Sequence, residues 1–79
     1  MYLSWEKGGV TILGKITIKA ARVNAGMTQV QLADKLGKNP STIINWENGN
    51  TKISLVDFKN LCSVLRVNED SIILPTKSS

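Results

Sequence analysis

At 79 residues the chain is large enough for one small domain and too short for a core that would carry an elaborate active site. Hydrophobic residues make up 42% and charged residues 20%, the balance of a folded domain rather than a disordered one, and the net charge is +4. Cys62 is the only cysteine and there is no histidine, which excludes an internal disulfide and leaves nothing from which to build a structural metal site.

Residues 1–14, "MYLSWEKGGVTILG", alternate apolar side chains at Val10 and Ile12 after an apolar Tyr2, Leu3 and Trp5. This reads either as an added strand or arm, or as translated leader. The leader reading rests on "KGG", whose codons can spell a bacterial ribosome-binding sequence a few nucleotides before Leu13. The domain proper is placed at 15–75. In "TIKAARVNAG" Thr17 is the expected helix cap, Ala20, Ala21 and Val23 the helix formers or core, and Gly26 the stop. In "MTQVQL" Thr28 caps a second helix with Gln31 three residues later, and Met27 and Leu32 occupy the positions of a hydrophobic staple. Leu32, Ala33 and Leu36 then share one face, and Gly37 ends the helix.

The stretch "NPSTIINWENG" differs from its neighbours. Asn39 is a cap residue, Pro40 sits at the first helical position, where a missing N–H costs nothing, and Gly49 stops the helix after Asn48. Lys38 precedes the cap where the other helices carry an apolar residue, so the N-terminus is left open beside a cation, as an anion site would be. Ile43 and Trp46 anchor one side, with Trp46 read as core packing rather than a stacking platform, while Ser41, Thr42 and Asn45 turn elsewhere. A helix with that division fits the major groove of DNA.

Downstream, "ISLVDF" repeats the start signal, with Ser54 as cap and Ile53 and Phe58 as staple, and Phe58, Leu61, Cys62 and Leu65 form the inward stripe. Cys62 is accordingly read as a buried thiol. In "VNEDSI" Asn68 is the cap of a last helix, Val67 and Ile72 its staple, and Pro75 its end; residues 76–79 form a tail. The basic surplus is confined to the first two thirds of the chain, with seven Lys and Arg against three acids up to Lys52 and an even balance beyond it.

Gly37, Lys38 and Asn39 make the short connection of a helix-turn-helix. Over residues 18–73 the phrases "R…GMTQVQLADKLG", "STIINWENG" and "L…LCSVLRVNEDSI" resemble, in order and spacing, the phage repressor and Cro family of helix-turn-helix DNA-binding domains, across about seven tenths of the chain. The resemblance implies an all-α, compact five-helix bundle of the lambda-repressor type, here with an N-terminal arm, whose second and third helices read DNA. It implies base reading by Asn39, Ser41 and Asn45 with Thr42 beside them. It also implies phosphate contacts by Gln29 with the amide at Thr28, and by Asn48, Asn50 and Lys52, and a buried salt bridge between Arg22 and Glu47. Pro40 departs from the pattern, standing where some members place a base-contacting polar residue.

The chemistry of these residue types agrees with that expectation. An Asn amide bonds adenine N6 and N7 together, worth ~1–3 kcal/mol of discrimination, and hydroxyls accept either polarity of partner, so a helix read by Asn, Ser and Thr favours A·T positions. Lys38 and Lys52 supply sequence-independent, salt-sensitive attraction to phosphate. The expected function is therefore a sequence-specific double-stranded DNA-binding regulator, most simply a repressor, of bacterial or phage origin. It requires no cofactor and no metal, and works as a homodimer at least on DNA, touching through the final helix with Ile72, Ile73 and Leu74, or through the arm. A protein-interaction role on the same fold, as an antitoxin or antirepressor, is the alternative. An enzyme is not expected, because no His, no catalytic Cys environment and no phosphate-cradling glycine loop are present. No apolar run approaches the ~18 residues of a membrane span, and the N-terminus has no signal-peptide pattern, so a cytoplasmic protein is expected.

Overall fold

The computed structural model describes residues 15–75. In chain order these form a short strand β1 (Ile16–Thr17), helices α1 (Ile18–Asn24), α2 (Gln29–Leu36), α3 (Pro40–Asn48) and α4 (Leu55–Leu65), one 3-10 turn at Glu69–Ser71, and a strand β2 (Ile72–Ile73). The alternation at Val10 and Ile12, and the arm, leader and tail readings, lie outside the described residues.

Three helices begin on a hydroxyl. Thr17 Oγ1 accepts from the Ala20 N–H at 3.1 Å, and Ser54 Oγ from the Asp57 N–H at 3.1 Å. At α2 the box is reciprocal: Thr28 Oγ1 accepts from the Gln31 N–H at 3.0 Å, and Gln31 Oε1 from the Thr28 N–H at 2.8 Å. Met27, Ile53 and Val67, the apolar residues before the caps, are partly buried against the core. Four helix ends share one device, in which an N–H reaches back five residues: Met27 to the Arg22 carbonyl, Lys38 to Ala33, Asn50 to Asn45 and Val67 to Cys62. Each is preceded by a left-handed residue. Three of these are glycines, and the fourth is Arg66 at φ 59°. At Gly49 a side chain is doubly disfavoured, since a Cβ there would also lie 3.1 Å from Pro75 Cβ.

The core is assembled from all four helices and β2. Ile18, Leu32, Ile43 and Leu61 are essentially inaccessible, and Ala21, Ala33, Trp46, Cys62, Leu65 and Ile72 close around them. Val23, which the sequence allows as core, is instead exposed. Ile72 is buried, so of the three residues expected at a dimer contact near the end of the fold Ile73 and Leu74 are exposed.

The fifth helix does not form. Asn68 makes no side-chain cap bond, Glu69–Ser71 completes a single 3-10 turn, and Ile72–Ile73 pairs parallel with β1 in the register Ile16 to Ile72 and Thr17 to Ile73. Between Asn68 and Pro75 there is room for little more than one turn once Leu74 is excluded, because the residue before a proline is driven out of the helical region. So short a helix does not recover its nucleation cost. The β-branched Ile72 and Ile73 favour extended backbone, and β1 offers them a ladder. The described residues thus form a four-helix bundle whose first and last segments are tied by a strand pair.

Arg66 carries the strain that glycine avoids at the other three ends. Arg66→Gly is expected to raise unfolding free energy by roughly 0.5–1 kcal/mol in urea titration, the left-handed penalty exceeding the extra chain entropy of glycine. Burial, reinforced by the nearby Glu69 carboxylate, pushes the Cys62 thiol above its ordinary value of 9.0. Below that pH both states hold the proton and no difference arises. As pH rises past it the unfolded thiol ionises first, so stability falls through the raised folded value, and Cys62→Ala is expected to remove that component of the alkaline decline.

Candidate nucleic-acid interface

The side chains of α3 divide by helical period. Ile43 and Trp46, three apart, point inward and are 0% and 4% exposed. The opposite side carries Ser41, Asn45 and Asn48, at spacings of four and three, so they form one outward row. Ser41 and Asn48 are exposed, and Thr42 and Asn45 are half-buried at the edge of the row. Ile44 belongs to the same face, one turn from Ser41 and from Asn48, and is 39% exposed. Sequence reasoning missed it, because an Ile-Ile pair reads as core; the signal was the phase, since only one of two adjacent helix residues can share the face of Trp46.

Asn39 has the backbone of a cap, with its carbonyl accepting from the Thr42 N–H at 2.9 Å, but its side chain makes no cap hydrogen bond. The expectation that it caps α3 is corrected to that extent. The amide of Asn39 is therefore left exposed at the open helix start. Asn45 Oδ1 accepts from Asn50 Nδ2 at 3.3 Å, and the Asn45 carbonyl accepts from the Asn50 N–H at 2.9 Å. The loop after α3 therefore orients Asn45 while leaving its own amide hydrogens and a second lone pair on Oδ1 unspent.

Glu47 fixes where this face points. Its Oε2 lies 2.6 Å from Arg22 Nε, and its Oε1 accepts from Arg22 Nη2 at 3.3 Å and from Gln29 Nε2 at 3.0 Å. Arg22 Nη1 donates to the Met27 carbonyl at 2.9 Å. Both charged side chains are more than nine-tenths buried, and no buried side-chain polar atom among the described residues lacks a partner. Gln29, assigned by resemblance to a phosphate, thus spends one amide hydrogen on Glu47 and keeps the other. The Thr28 N–H assigned with it is occupied by Gln31 Oε1 and the Gln31 N–H by Thr28 Oγ1, so the donors open at this helix start are the N–H groups of Gln29 and Val30.

The cations sit at the ends of α3. Lys38 Nζ lies 3.3 Å from Asp57 Oδ2 in the first turn of α4, a half-exposed pair of the kind worth ~0–1 kcal/mol and so readily exchanged for another anion. Asn50 and Lys52 are exposed in the loop beyond, and Lys52 has no ion-pair partner among the described residues. Amides, a hydroxyl and an isoleucine along a protruding row, flanked by a cation at each end, form a surface suited to base edges between two phosphate backbones.

A family model described as helix-turn-helix matches residues 18–72. The chain belongs to the helix-turn-helix family, in its Cro and C1 branch. No curated protein and no solved structure gives a match. The family is one of DNA-binding transcription regulators, and within it α2 and α3 make up the helix-turn-helix unit joined at Gly37–Asn39. No helix among the described residues is long and apolar enough to cross a membrane.

The buried pair supports a direct test. Arg22→Met or Glu47→Leu alone leaves an uncompensated charge in the bundle and is expected to cost ~3–5 kcal/mol of unfolding free energy, whereas the two together recover most of it. A urea-denaturation double-mutant cycle reads this; additive losses would show that the two side chains do not act as one unit.

Proposed function

We propose that the chain is a sequence-specific repressor that reads the major groove of double-stranded DNA with the helix α3. The observation that carries this reading is the outward row of Ser41, Ile44, Asn45 and Asn48, backed by the buried anchors Ile43 and Trp46 and held at its angle by the Glu47 network. Asn39, Ser41, Thr42 and Asn45 read base edges. Ile44 adds apolar contact, for which the thymine methyl is the one partner in the groove, and this strengthens the preference for A·T positions. Thr28, Gln29, Lys38, Asn48, Asn50 and Lys52 hold the phosphates, with Gln29 using its remaining amide hydrogen and Thr28 contributing its place at the helix start rather than its N–H.

One module of this size covers ~600–1,000 Å² of DNA, too little for useful discrimination by itself. A second copy on a half-site about one helical turn away completes the operator, with Ile73 exposed for the contact between copies. Such a dimer blocks polymerase by occupancy, which makes repression the simplest outcome of binding. The protein acts in the cytoplasm, where its DNA lies.

Selection from a random duplex library, followed by a salt titration on the winning sequence, tests the reading. A two-fold-related A·T-rich consensus is expected. On that sequence Asn45→Ala is expected to flatten the preference at one base pair of each half-site by ~1–3 kcal/mol. Lys52→Ala is expected to weaken all duplexes alike and reduce the salt slope by about one. Equal losses for every sequence from both variants would overturn the division of roles.

A further inference from the structure

A groove of about 440 Å³ opens at the C-terminal end of α3, beside the row just described. Trp46, Ile53, Leu74 and Pro75 supply its apolar lining, and Lys52 is the one charged residue that lines it. Gly49 also lines it and packs closely on Pro75, with no room for a Cβ between them. The lining is mostly apolar, and the Lys52 ammonium has no carboxylate partner among the described residues.

We propose that this groove binds a small amphipathic organic anion and that its occupancy lowers DNA affinity. The volume falls in the range of small-molecule sites, roughly 300–1,000 Å³, and suits a ring system or a short branched chain. An apolar body lies along Ile53, Leu74 and the edge of Trp46, and a carboxylate or sulfonate meets Lys52.

The coupling follows from what the groove is made of, and it rests on the phosphate-binding role proposed for Lys52. A bound anion neutralises that cation and competes with phosphate for it. The groove is also bounded by Gly49 and Thr51, on either side of Asn50, whose amide orients Asn45. A ligand that shifts this turn therefore acts on a base-reading residue as well as on a phosphate contact. Linkage requires the reverse: DNA must weaken the ligand by the same factor.

Anilinonaphthalenesulfonate, an aromatic body with one sulfonate, is a suitable probe. Titrated into the full chain without DNA, it is expected to show one saturable site with enhanced emission. Lys52→Gln is expected to weaken that site about tenfold, by loss of a charge-assisted bond, and Leu74→Glu to abolish it by placing a like charge in the wall. Far-UV circular dichroism identifies any variant that has failed to fold. Absence of saturable binding, or binding unchanged by both substitutions, overturns the site. A second titration measures the selected duplex with and without saturating probe: a reciprocal loss of affinity is expected, and unchanged affinity overturns the coupling. The first titration contains no DNA, so a protein that binds the probe in this way but selects no duplex refutes the repressor reading and leaves the groove standing.

Discussion

The carboxylate of Glu47 gathers hydrogen bonds from Arg22 on α1 and Gln29 at the start of α2, and the same arginine closes on the carbonyl of Met27 in the turn between them. Taking two charges out of water in so small a domain is unfavourable in itself, and an apolar pair of similar volume would supply most of the same stability. What the ionic arrangement supplies is direction. A hydrophobic contact tolerates rotation of a helix about its axis by tens of degrees, whereas a guanidinium fork and an amide aimed at two oxygens do not. Glu47 is next to Trp46 in sequence and occupies the flank of α3 between its buried and outward faces, so fixing it fixes the angle at which Ser41, Asn45 and Asn48 leave the bundle.

The tie between β1 and β2 serves the same end from the other side of the molecule. A chain of this size gains little from core area alone, and a frayed terminus would uncover Ile18 and Ala21. Pairing Ile16 with Ile72 closes the bundle across the ends of the described chain and buries Ile72 at the same time. It also places Leu74 and Pro75 against Gly49, so the end of the fold and the end of α3 share a surface. The strand pair is thus the reason a groove exists at that position: a fifth helix would have carried Leu74 along a different path.

What the sequence made legible was local. Thr17, Thr28 and Ser54 announce helix starts because a cap needs only a hydroxyl and the next three residues, and all three are seen to cap. The inward stripes of α2 and α4 were readable for the same reason, since periodicity is written within one helix. Failures came where a competing partner lay far along the chain. Asn68 looks like the other caps, yet Ile72 and Ile73 find β1 more than fifty residues away, and no local pattern shows that ladder. Gln29 keeps one amide hydrogen for a phosphate, and what no local pattern shows is that Glu47, eighteen residues on, takes the other. Ile44 was hidden differently: composition marks it apolar, and only the phase set by Trp46 turns it outward.

The contrast between α3 and its neighbours follows from these same observations. Helices α1, α2 and α4 each spend a side-chain hydroxyl on their own first turn. Helix α3 spends none. Its cap amide makes no local bond, its first residue is a proline with no donor to satisfy, and the residue before the cap is a lysine paired only loosely with Asp57. Were this helix stabilised like the others, Asn39 would be bonded to its own backbone and unavailable to anything else. Its stability is drawn instead from the side facing inward, through Ile43, Trp46 and the Glu47 network, which leaves the Asn39 side chain without a cap bond and engages Asn45 only through its Oδ1, to Asn50. A helix held wholly from behind can present its front to a partner without losing any contact on which the fold depends.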